Sequence, residues 1–200
     1  LWQKEDLVEA WKRAYQTDTQ APFGGVIVMN RPMTEALARI VGAIFTDVII
    51  APDYEPEARA ILQKKKNCRI MRIDMDAWRE FCKLPMVRTA PGGLMTVKRD
   101  DEVMGLDNLE SKVVTKRVPT AEELDAMRFA WRVCKQVHSN AIVFTDKNGT
   151  LGIGAGQMSR VDSAKIAVWK AGQAGLDLKG GVIASDGLFP FADGLQTAID

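Results

Sequence analysis

The segment AIVFTDKNGTLGIGAGQMSRVDSAKIA, residues 141–167, contains two short apolar runs, a turn, a glycine-rich stretch and a helical pattern. The Asn-Gly pair at 148–149 separates the apolar runs and predicts a hairpin, because both residue types tolerate a positive φ. Ser159 and Asp162 resemble a capping box, which predicts a helix that continues until Gly172. We therefore expect a β-hairpin whose second strand leads through a glycine-rich loop into a helix.

The glycine-rich stretch GIGAGQMSR, residues 152–160, has three glycines at alternate positions and ends in a cation. Glycines let a ligand approach the backbone, and N–H groups at a helix start attract anions. Arg160 opposes the helix dipole, at a cost of up to ~1 kcal/mol, and so needs an acidic side chain or a ligand as partner. The alternative is that the glycines only let two layers pack closely. The spacing fits neither the dinucleotide fingerprint nor the P-loop.

Upstream of this segment, helix and strand patterns alternate, which predicts an α/β fold. Thr34 is expected to cap one of the helices, with Leu37, Ala38, Val41, Ile44 and Phe45 on its apolar face. The predicted helices lie in LWQKEDLVEAWKRAY, in the segment after Thr34 and in EPEARAILQKKKN, the last with basic residues in its final turn. The predicted buried strands are GGVIVMN, DVIIAP and CRIMRID.

The middle of the chain is less regular. The stretch MVRTAPGGLMTVKRDD is expected to be extended, and residues 113–118 to form one strand that Pro119 ends. Thr120 and Glu123 then form a capping box that opens a further helix. Its apolar face is predicted to be Leu124, Met127, Trp131 and Cys134. We draw a subdomain boundary near residue 119, which divides the chain into residues 1–119 and residues 120–200.

Composition limits the classes of function. The 200 residues are 46% hydrophobic, and 27 Lys and Arg balance 26 Asp and Glu, so we expect no capture of nucleic acid or of an anionic membrane. No apolar run approaches the ~20 residues that span a bilayer. The three cysteines, Cys68, Cys82 and Cys134, are expected to be reduced core thiols of a cytoplasmic protein. A small anionic ligand is compatible with this composition.

The chain has one histidine, His138, which limits its possible chemistry. A histidine metal cluster cannot be built from it, and a zinc deaminase would need H-x-E and P-C-x-x-C elements that the sequence lacks. A serine or cysteine triad would have only this base to use. We predict no metal site, and we interpret His138 as a helix-end residue.

Three polar residues are candidates for ligand contacts. Asn140, at a helix-to-strand junction, has a carboxamide that can donate and accept hydrogen bonds, although it can equally be a turn residue. Asp193 is either an N-cap or a carboxylate beside an aromatic pocket of Phe189 and Phe191. Asp47 opens a strand, where a carboxylate can receive ribose hydroxyls, but surface aspartates are common.

Several segments together resemble one family, the formyltransferase part of bifunctional purine biosynthesis enzymes. These segments are residues 141–167, VIASDGLFPFADG, APFGGVIVMNRP, DVIIAPDYEPEA and VVTKR. The resemblance implies transfer of a formyl group from 10-formyltetrahydrofolate to the 5-amino group of phosphoribosylaminoimidazolecarboxamide (AICAR). It also implies a duplicated cytidine-deaminase-like fold, with helices on both sides of mixed sheets, and a homodimer.

The resemblance implies roles for particular residues. Asn140 would orient the reacting groups and thus be catalytic, and Arg160 would grip the AICAR base or its carboxamide. Asp193 would bind donor groups of the pterin. The implied substrate-binding residues are Gly24, Asp47, Asn140, Arg160 and Leu188, and the implied folate-binding residues are Val161 and Asp193.

The family's Lys-His pair, which manages the proton during amine attack, would lie before Leu1, and its C-terminal tail beyond Asp200. We therefore expect this chain to be an incomplete formyltransferase domain that is nearly inactive alone. The alternative from another class is a purine-ribonucleotide-binding module without catalysis, and a purely structural domain has less support. A monovalent cation near Ser139 and Asp186 is left open.

Overall fold

The computed structural model describes residues 5–99, 112–189 and 191–199, and the chain folds into two compact units. The first unit comprises Leu1–Ala21 together with Met104–Asp200, and the second comprises Pro22–Val103. The subdomain boundary near residue 119 stays a prediction.

Helices and strands alternate along the chain, and both parallel and antiparallel sheets occur, so the predicted α/β class is confirmed. In chain order the elements are α1 (Leu7–Gln16), β1 (Gly25–Val28), α2 (Glu35–Gly42), β2 (Thr46–Ala51), α3 (Pro56–Leu62), β3 (Arg69–Arg72), α4 (Met75–Cys82), β4 (Met86–Ala90), β5 (Gly93–Val97), α5 (Ala121–Cys134), β6 (Ile142–Thr145), β7 (Thr150–Gly154), α6 (Arg160–Gln173), β8 (Val182–Ser185) and α7 (Asp193–Ile199).

The second unit is built on a parallel sheet with strand order β1-β2-β3. Helices α2 and α3 connect successive strands and pack against each other. Because α2 and α3 are in contact, both lie on the same face of the sheet. The buried apolar side chains described in this unit are Met33, Leu37, Ala38, Val41, Ile49, Ala51, Ala58 and Leu62.

Two expectations for this unit need correction. Strand β1 was expected to be buried throughout, but Val26 is 61% and Val28 is 65% exposed, because alternate side chains of a strand point to opposite faces. Thr34 does cap α2 by accepting from the N–H of Leu37 at 3.4 Å. The helix ends at Gly42, so Ile44 and Phe45 lie beyond it.

The basic residues predicted for the last turn of α3 lie after the helix, which ends at Leu62. One of them, Lys65, reaches the C-terminal end of α2. Its Nζ donates to the carbonyl oxygens of Gly42 at 2.8 Å and Ile44 at 2.6 Å. Carbonyls at a helix end have no partner inside the helix, so this ammonium group satisfies acceptors that the helix leaves open.

We expect Lys65→Met to destabilise the second unit by about 1–2 kcal/mol, because both carbonyl oxygens lose a charged donor. Lys64→Met and Lys66→Met remove the same charge from exposed neighbours and should stay within about 0.5 kcal/mol of the parent. Hydrogen exchange of the α2 amides measures the difference. Equal protection in all three variants would contradict the capping role of Lys65.

The predicted extended structure is confirmed for β4 and β5, which pair as an antiparallel hairpin. The last two residues of that predicted stretch, 100 and 101, lie outside the described residues. The strand predicted for residues 113–118 is wrong, since this stretch has no strand structure. There the Thr115 hydroxyl donates to the carbonyl of Arg117 at 2.6 Å, and Arg117 pairs with Glu123 at 2.8 Å.

The first unit contains an antiparallel sheet with β6 between β7 and β8. Successive β6 side chains point to opposite faces, so each face packs against a different helix. Val143 belongs to the cluster formed with α5, and Ile142 and Phe144 belong to the cluster formed with α6. The central strand is therefore covered on both faces.

Helix α5 has the predicted capping box. The N–H of Glu123 donates to the Thr120 hydroxyl at 3.2 Å, and the N–H of Thr120 donates to the Glu123 carboxylate at 2.8 Å. The predicted apolar face is partly wrong: Cys134 is buried, but Trp131 is 40% exposed. The buried face is Ala126, Phe129, Ala130, Val133 and Cys134, in which the two alanines let the helix lie close to the sheet.

The predicted hairpin of β6 and β7 is confirmed, but its turn differs from the expected one. Neither Asn148 nor Gly149 has a positive φ. Instead, the carboxylate of Asp146 accepts from the N–H of Asn148 at 2.7 Å and from that of Gly149 at 2.9 Å. The aspartate thus closes the turn through its side chain.

Helix α6 begins where predicted. The hydroxyl of Ser159 accepts from the N–H of Asp162 at 3.1 Å and donates to the carboxylate of Asp162 at 2.7 Å. The predicted end at Gly172 is wrong, since the helix continues to Gln173. The glycine with a positive φ is Gly175, at +65°, directly after the C-cap.

All three cysteines are free thiols. Cys134 is buried, and burial raises the pKa of its thiol to about 11. Cys68 and Cys82 are half-buried rather than core residues. In the parts of the chain that the structure describes, no helix is both long enough and apolar enough to cross a membrane.

Candidate functional site

Two of the three alternating glycines pack β7 against α6. A Cβ on Gly154 would lie 2.5 Å from the carbonyl carbon of Ser163, and a Cβ on Gly152 would lie 3.1 Å from that of Ala167, with each carbonyl oxygen closer still. No real Cβ can occupy these positions unless the helix moves. The close-packing interpretation is therefore confirmed for Gly152 and Gly154.

The third glycine, Gly156, belongs to the loop that leads into α6. Its φ is +66°, and nothing lies within 4 Å of the position of a Cβ. Its N–H donates to the carbonyl of His138 at 3.0 Å. Gly156 therefore allows the backbone conformation of the loop, and its hydrogen bond ties the loop to the segment preceding β6.

Asn140 lies between this loop and α6. Its N–H and its side-chain Nδ2 both donate to the carbonyl of Gln157, at 3.3 and 2.9 Å. Its own carbonyl accepts from the hydroxyl of Ser163 at 2.6 Å, and the Ser139–Asn140 peptide bond is cis. Among the described residues the carboxamide Oδ1 has no hydrogen-bond partner, so this oxygen is available to a ligand.

Arg160 is the first residue of α6, where a positive charge opposes the helix dipole, and it has an acidic partner. Its Nη2 lies 3.1 Å from the carboxylate of Asp186, and its Nε donates to the hydroxyl of Ser185 at 3.1 Å. The side chains of the pair are 19% and 17% exposed. Because the partner is part of the protein, the unfavourable helix-dipole position of Arg160 does not by itself require a ligand.

Asp186 follows β8 directly and binds three groups. One carboxylate oxygen accepts from the N–H of Ala141 at 2.9 Å and from Arg160, and the other accepts from the hydroxyl of Ser139. Burial acts to raise the pKa of Asp186, but the Ser139 hydroxyl, the Ala141 N–H and the Arg160 charge together lower it. The carboxylate is therefore ionised at neutral pH.

This lowered pKa predicts how stability depends on pH. A carboxylate with a depressed pKa stabilises the fold above its unfolded pKa of about 3.9, and this contribution is lost as pH falls through the folded value. We expect the stability difference between the parent and Asp186→Asn to be largest near neutral pH and to shrink below about pH 4. Urea unfolding between pH 7 and pH 2.5 measures it, and a difference independent of pH would contradict the assignment.

The other residues predicted at this end of the first unit lie near Arg160. Val161 follows it on α6, and Asp193 begins α7. A Cβ on the buried Gly194 would lie 2.8 Å from the Phe189 ring and 3.8 Å from the Cβ of Arg160, so the starts of α6 and α7 are adjacent. One oxygen of Asp193 accepts from the N–H of Gly194 at 2.8 Å. Leu188 is 74% exposed.

Gly24 and Asp47 lie in the second unit and are brought together there. Gly24 has a φ of +74°, and a Cβ on it would lie 3.6 Å from a carboxylate oxygen of Asp47. Asp47 is half-buried on β2. Five of the seven predicted site residues therefore belong to one unit and two to the other.

Across residues 5–99, 112–189 and 191–199, no group of three or more His, Cys, Asp or Glu residues could hold a metal ion. His138 follows α5 and contributes its carbonyl oxygen to the contact with Gly156. The sequence prediction missed three residues of this region: Gln157, Ser163 and Ser185. It also considered Asp186 only as a neighbour of a cation, although the need of Arg160 for an acidic partner was the signal that could have identified it.

The fold and the site define an α/β protein in which a strand and a glycine-rich loop lead into a helix whose first residue, Arg160, pairs with Asp186, while the carboxamide of Asn140 lies against the loop. The chain belongs to the AICARFT/IMPCHase bienzyme family, whose model matches residues 2–170.

Two relatives are both named bifunctional purine biosynthesis protein PurH. The protein from Chloroflexus aurantiacus is 51% identical over 199 residues, which cover 97% of this chain and 37% of the relative. The protein from Chlorobium phaeovibrioides is 49% identical over 202 residues, which cover 99% of this chain and 37% of the relative. The chain thus spans 37% of the length of these relatives.

Proposed function

We propose that this chain forms part of an AICAR formyltransferase and binds the purine-precursor ribonucleotide through its glycine-rich loop and Arg160. The main support is the family match over residues 2–170, which includes β6, β7, the loop and most of α6. The relatives' names place those proteins in purine biosynthesis.

In the proposed reaction the 5-amino nitrogen of AICAR bonds to the formyl carbon of 10-formyltetrahydrofolate. The bond from that carbon to N10 breaks, and the proton lost by the amine is returned to N10. The weak amine and the developing negative charge on the formyl oxygen both need positioned polar groups. Asn140 serves the amine: its Nδ2 donates to the carbonyl of Gln157, which leaves its Oδ1 to accept a hydrogen bond from the amine N–H.

Arg160 fits the role of ligand binding because only part of its guanidinium is occupied by protein. Within the described parts of the chain, Ser185 and Asp186 engage Nε and Nη2, and Nη1 has no partner. A planar guanidinium held along one edge can offer the other edge to a carbonyl or an anionic group. We assign this edge to the base or carboxamide of AICAR.

The residues at the start of α7 fit the cosubstrate. Asp193 is exposed, and its Oδ1 is the oxygen engaged by Gly194, so the second oxygen can accept from pterin N–H groups. Val161 would contribute an apolar contact to the folate, whereas Leu188 would contribute one to the nucleotide. For the second unit taken by itself, Gly24 and Asp47 are proposed as ligand contacts. The cytidine-deaminase-like duplication, the homodimer and the cytoplasmic location are further parts of this proposal.

Calorimetric titration of the chain with AICAR tests the proposal, with ribose 5-phosphate as the comparison that lacks the base and carboxamide. We expect saturable binding of AICAR at micromolar strength and much weaker binding of ribose 5-phosphate. A titration of the AICAR-bound chain with a folate analogue then tests the second ligand. Equal binding of AICAR and ribose 5-phosphate would contradict recognition through Arg160 and Asn140.

A further inference from the structure

Asp186 lies where the two residues proposed to meet the ligand come together. Strand β8 pairs with β6 so that Ser185 lies opposite Ile142, which places Asp186 beside Ala141 and the segment that contains Asn140. From there its carboxylate binds Ser139 and Ala141, the residues on either side of Asn140, and also Arg160.

We propose that Asp186 is a positioning residue that couples Asn140 to Arg160, so that the carboxamide and the guanidinium meet the ligand as one preformed unit. This inference rests on the proposed function, in which both residues contact the nucleotide. Asp186 acts through its neighbours and does not itself contact the ligand.

The hydrogen bonds support this role because they leave the ligand-facing atoms open. Ser185 and Asp186 are adjacent at the end of β8, and they hold Nε and Nη2 of Arg160 at 3.1 Å each. A long arginine side chain otherwise loses rotamer freedom when a ligand binds, and this loss weakens binding. An arginine already fixed by the fold avoids that loss.

The absence of a side chain at Gly187 leaves space for the guanidinium of Arg160. A Cβ on Gly187 would lie 3.2 Å from Cζ of Arg160 and closer still to Nη2. The residue after Asp186 therefore leaves room for the planar group. The charged pair is shielded, with 19% and 17% of the two side chains exposed, so it is screened less than a surface pair.

The other groups that face Asp186 argue for an ionised carboxylate at this position. The Ser139 hydroxyl and the Ala141 N–H are both donors, and a carboxamide at this position would lose the charge that holds Arg160. Asp186→Asn is close in shape, so it tests the charge with little change in packing. Ser185→Ala removes the second partner of Arg160 and leaves the contacts of Asp186 with Ser139 and Ala141 intact.

The test combines a ligand-free and a ligand-bound measurement on the chain. The ¹H–¹⁵N signal of the Arg160 Nε–H reports whether the guanidinium is held, and calorimetry reports the Kd for AICAR. We expect Asp186→Asn and Ser185→Ala to collapse the Nε–H signal toward that of a free arginine and to weaken AICAR binding on the order of 10-fold. Asp177→Asn, an exposed aspartate on the same unit, is the charge-matched control and should change neither.

The dependence of Arg160 on Asp186 is tested by combining substitutions. Arg160→Met should weaken AICAR binding less in the Asp186→Asn background than in the parent, because the unheld arginine has already lost part of its effect. Fully additive effects, or an unchanged Nε–H signal in both variants, would overturn the inference. If the parent did not bind AICAR but the two variants showed the expected Nε–H changes, the proposed function would be contradicted. The result would still support the positioning of Arg160 by Asp186 and Ser185.

Discussion

Gly154→Ala should destabilise the first unit by ~3 kcal/mol or more, because the added methyl group would meet the backbone of α6. The new Cβ would lie 2.5 Å from the backbone carbonyl carbon of Ser163. A helix backbone cannot rotate away as a side chain can, so α6 would have to separate from β7. Urea unfolding followed by far-UV circular dichroism measures the loss of stability, and hydrogen exchange shows whether α6 loses protection.

The matched control is Gly172→Ala on the same helix. Gly172 is exposed, nothing lies within 4 Å of its Cβ position, and its φ is not positive. Alanine has a higher helix propensity than glycine, so in the last turn of α6 this substitution should raise stability by up to about 1 kcal/mol. Both substitutions add one methyl group, but their changes in the free energy of unfolding should have opposite signs. A loss below 1 kcal/mol for Gly154→Ala would mean that α6 does not depend on this glycine.

Arg160→Met should weaken AICAR binding by roughly 10- to 150-fold, because a hydrogen bond to a charged group contributes about 1.5–3 kcal/mol. Methionine keeps much of the aliphatic stem and removes the guanidinium. Its effect on folding should be smaller than its effect on binding, because Asp186 keeps its contacts with Ser139 and Ala141. Calorimetry on the parent and the variant gives the ratio of the Kd values.

Lys165→Met is the control for Arg160→Met. Lys165 is exposed on the same helix, so the substitution removes one positive charge about one turn away. We expect its Kd for AICAR to stay within a factor of about two, since exposed charges are screened by salt. If both variants bound AICAR as the parent does, Arg160 would be a structural partner of Asp186 and nothing more.

Local signals predicted much of the fold. The capping box at Thr120 and Glu123 and the caps at Thr34 and Ser159 locate helix starts, because these side chains satisfy N–H groups within a few residues. The hairpin of β6 and β7 was also predictable. The turn was not predictable: a positive φ at Gly149 was expected, but the turn is instead closed by hydrogen bonds to the carboxylate of Asp146.

Features that depend on contacts between residues far apart in the chain could not be predicted from local sequence patterns. The strand expected at residues 113–118 has good β propensity but no neighbouring strand to pair with among the described residues, so propensity alone misled. The face of α5 was misassigned because Ala126 and Ala130 set the distance of the helix from the sheet.

The candidate site was predictable only in part for the same reason. Composition and spacing identified Arg160 as a cation that needed a partner. That this partner is Asp186 depends on the register of β6 and β8, which brings Ala141 and Asp186, 45 positions apart, into hydrogen-bond contact. Glycine spacing also could not separate the two packing glycines from Gly156, since that distinction depends on where α6 lies.

Amide chemical shifts test most directly whether residues 155–160 and Asn140 bind the ribonucleotide. A ¹H–¹⁵N correlation spectrum of the chain is recorded during titration with AICAR. We predict the largest changes at Asn140, at Gly156 and at Arg160, together with the Arg160 Nε–H. Saturable changes confined to amides other than those of residues 155–160 and Asn140 would contradict binding at the loop.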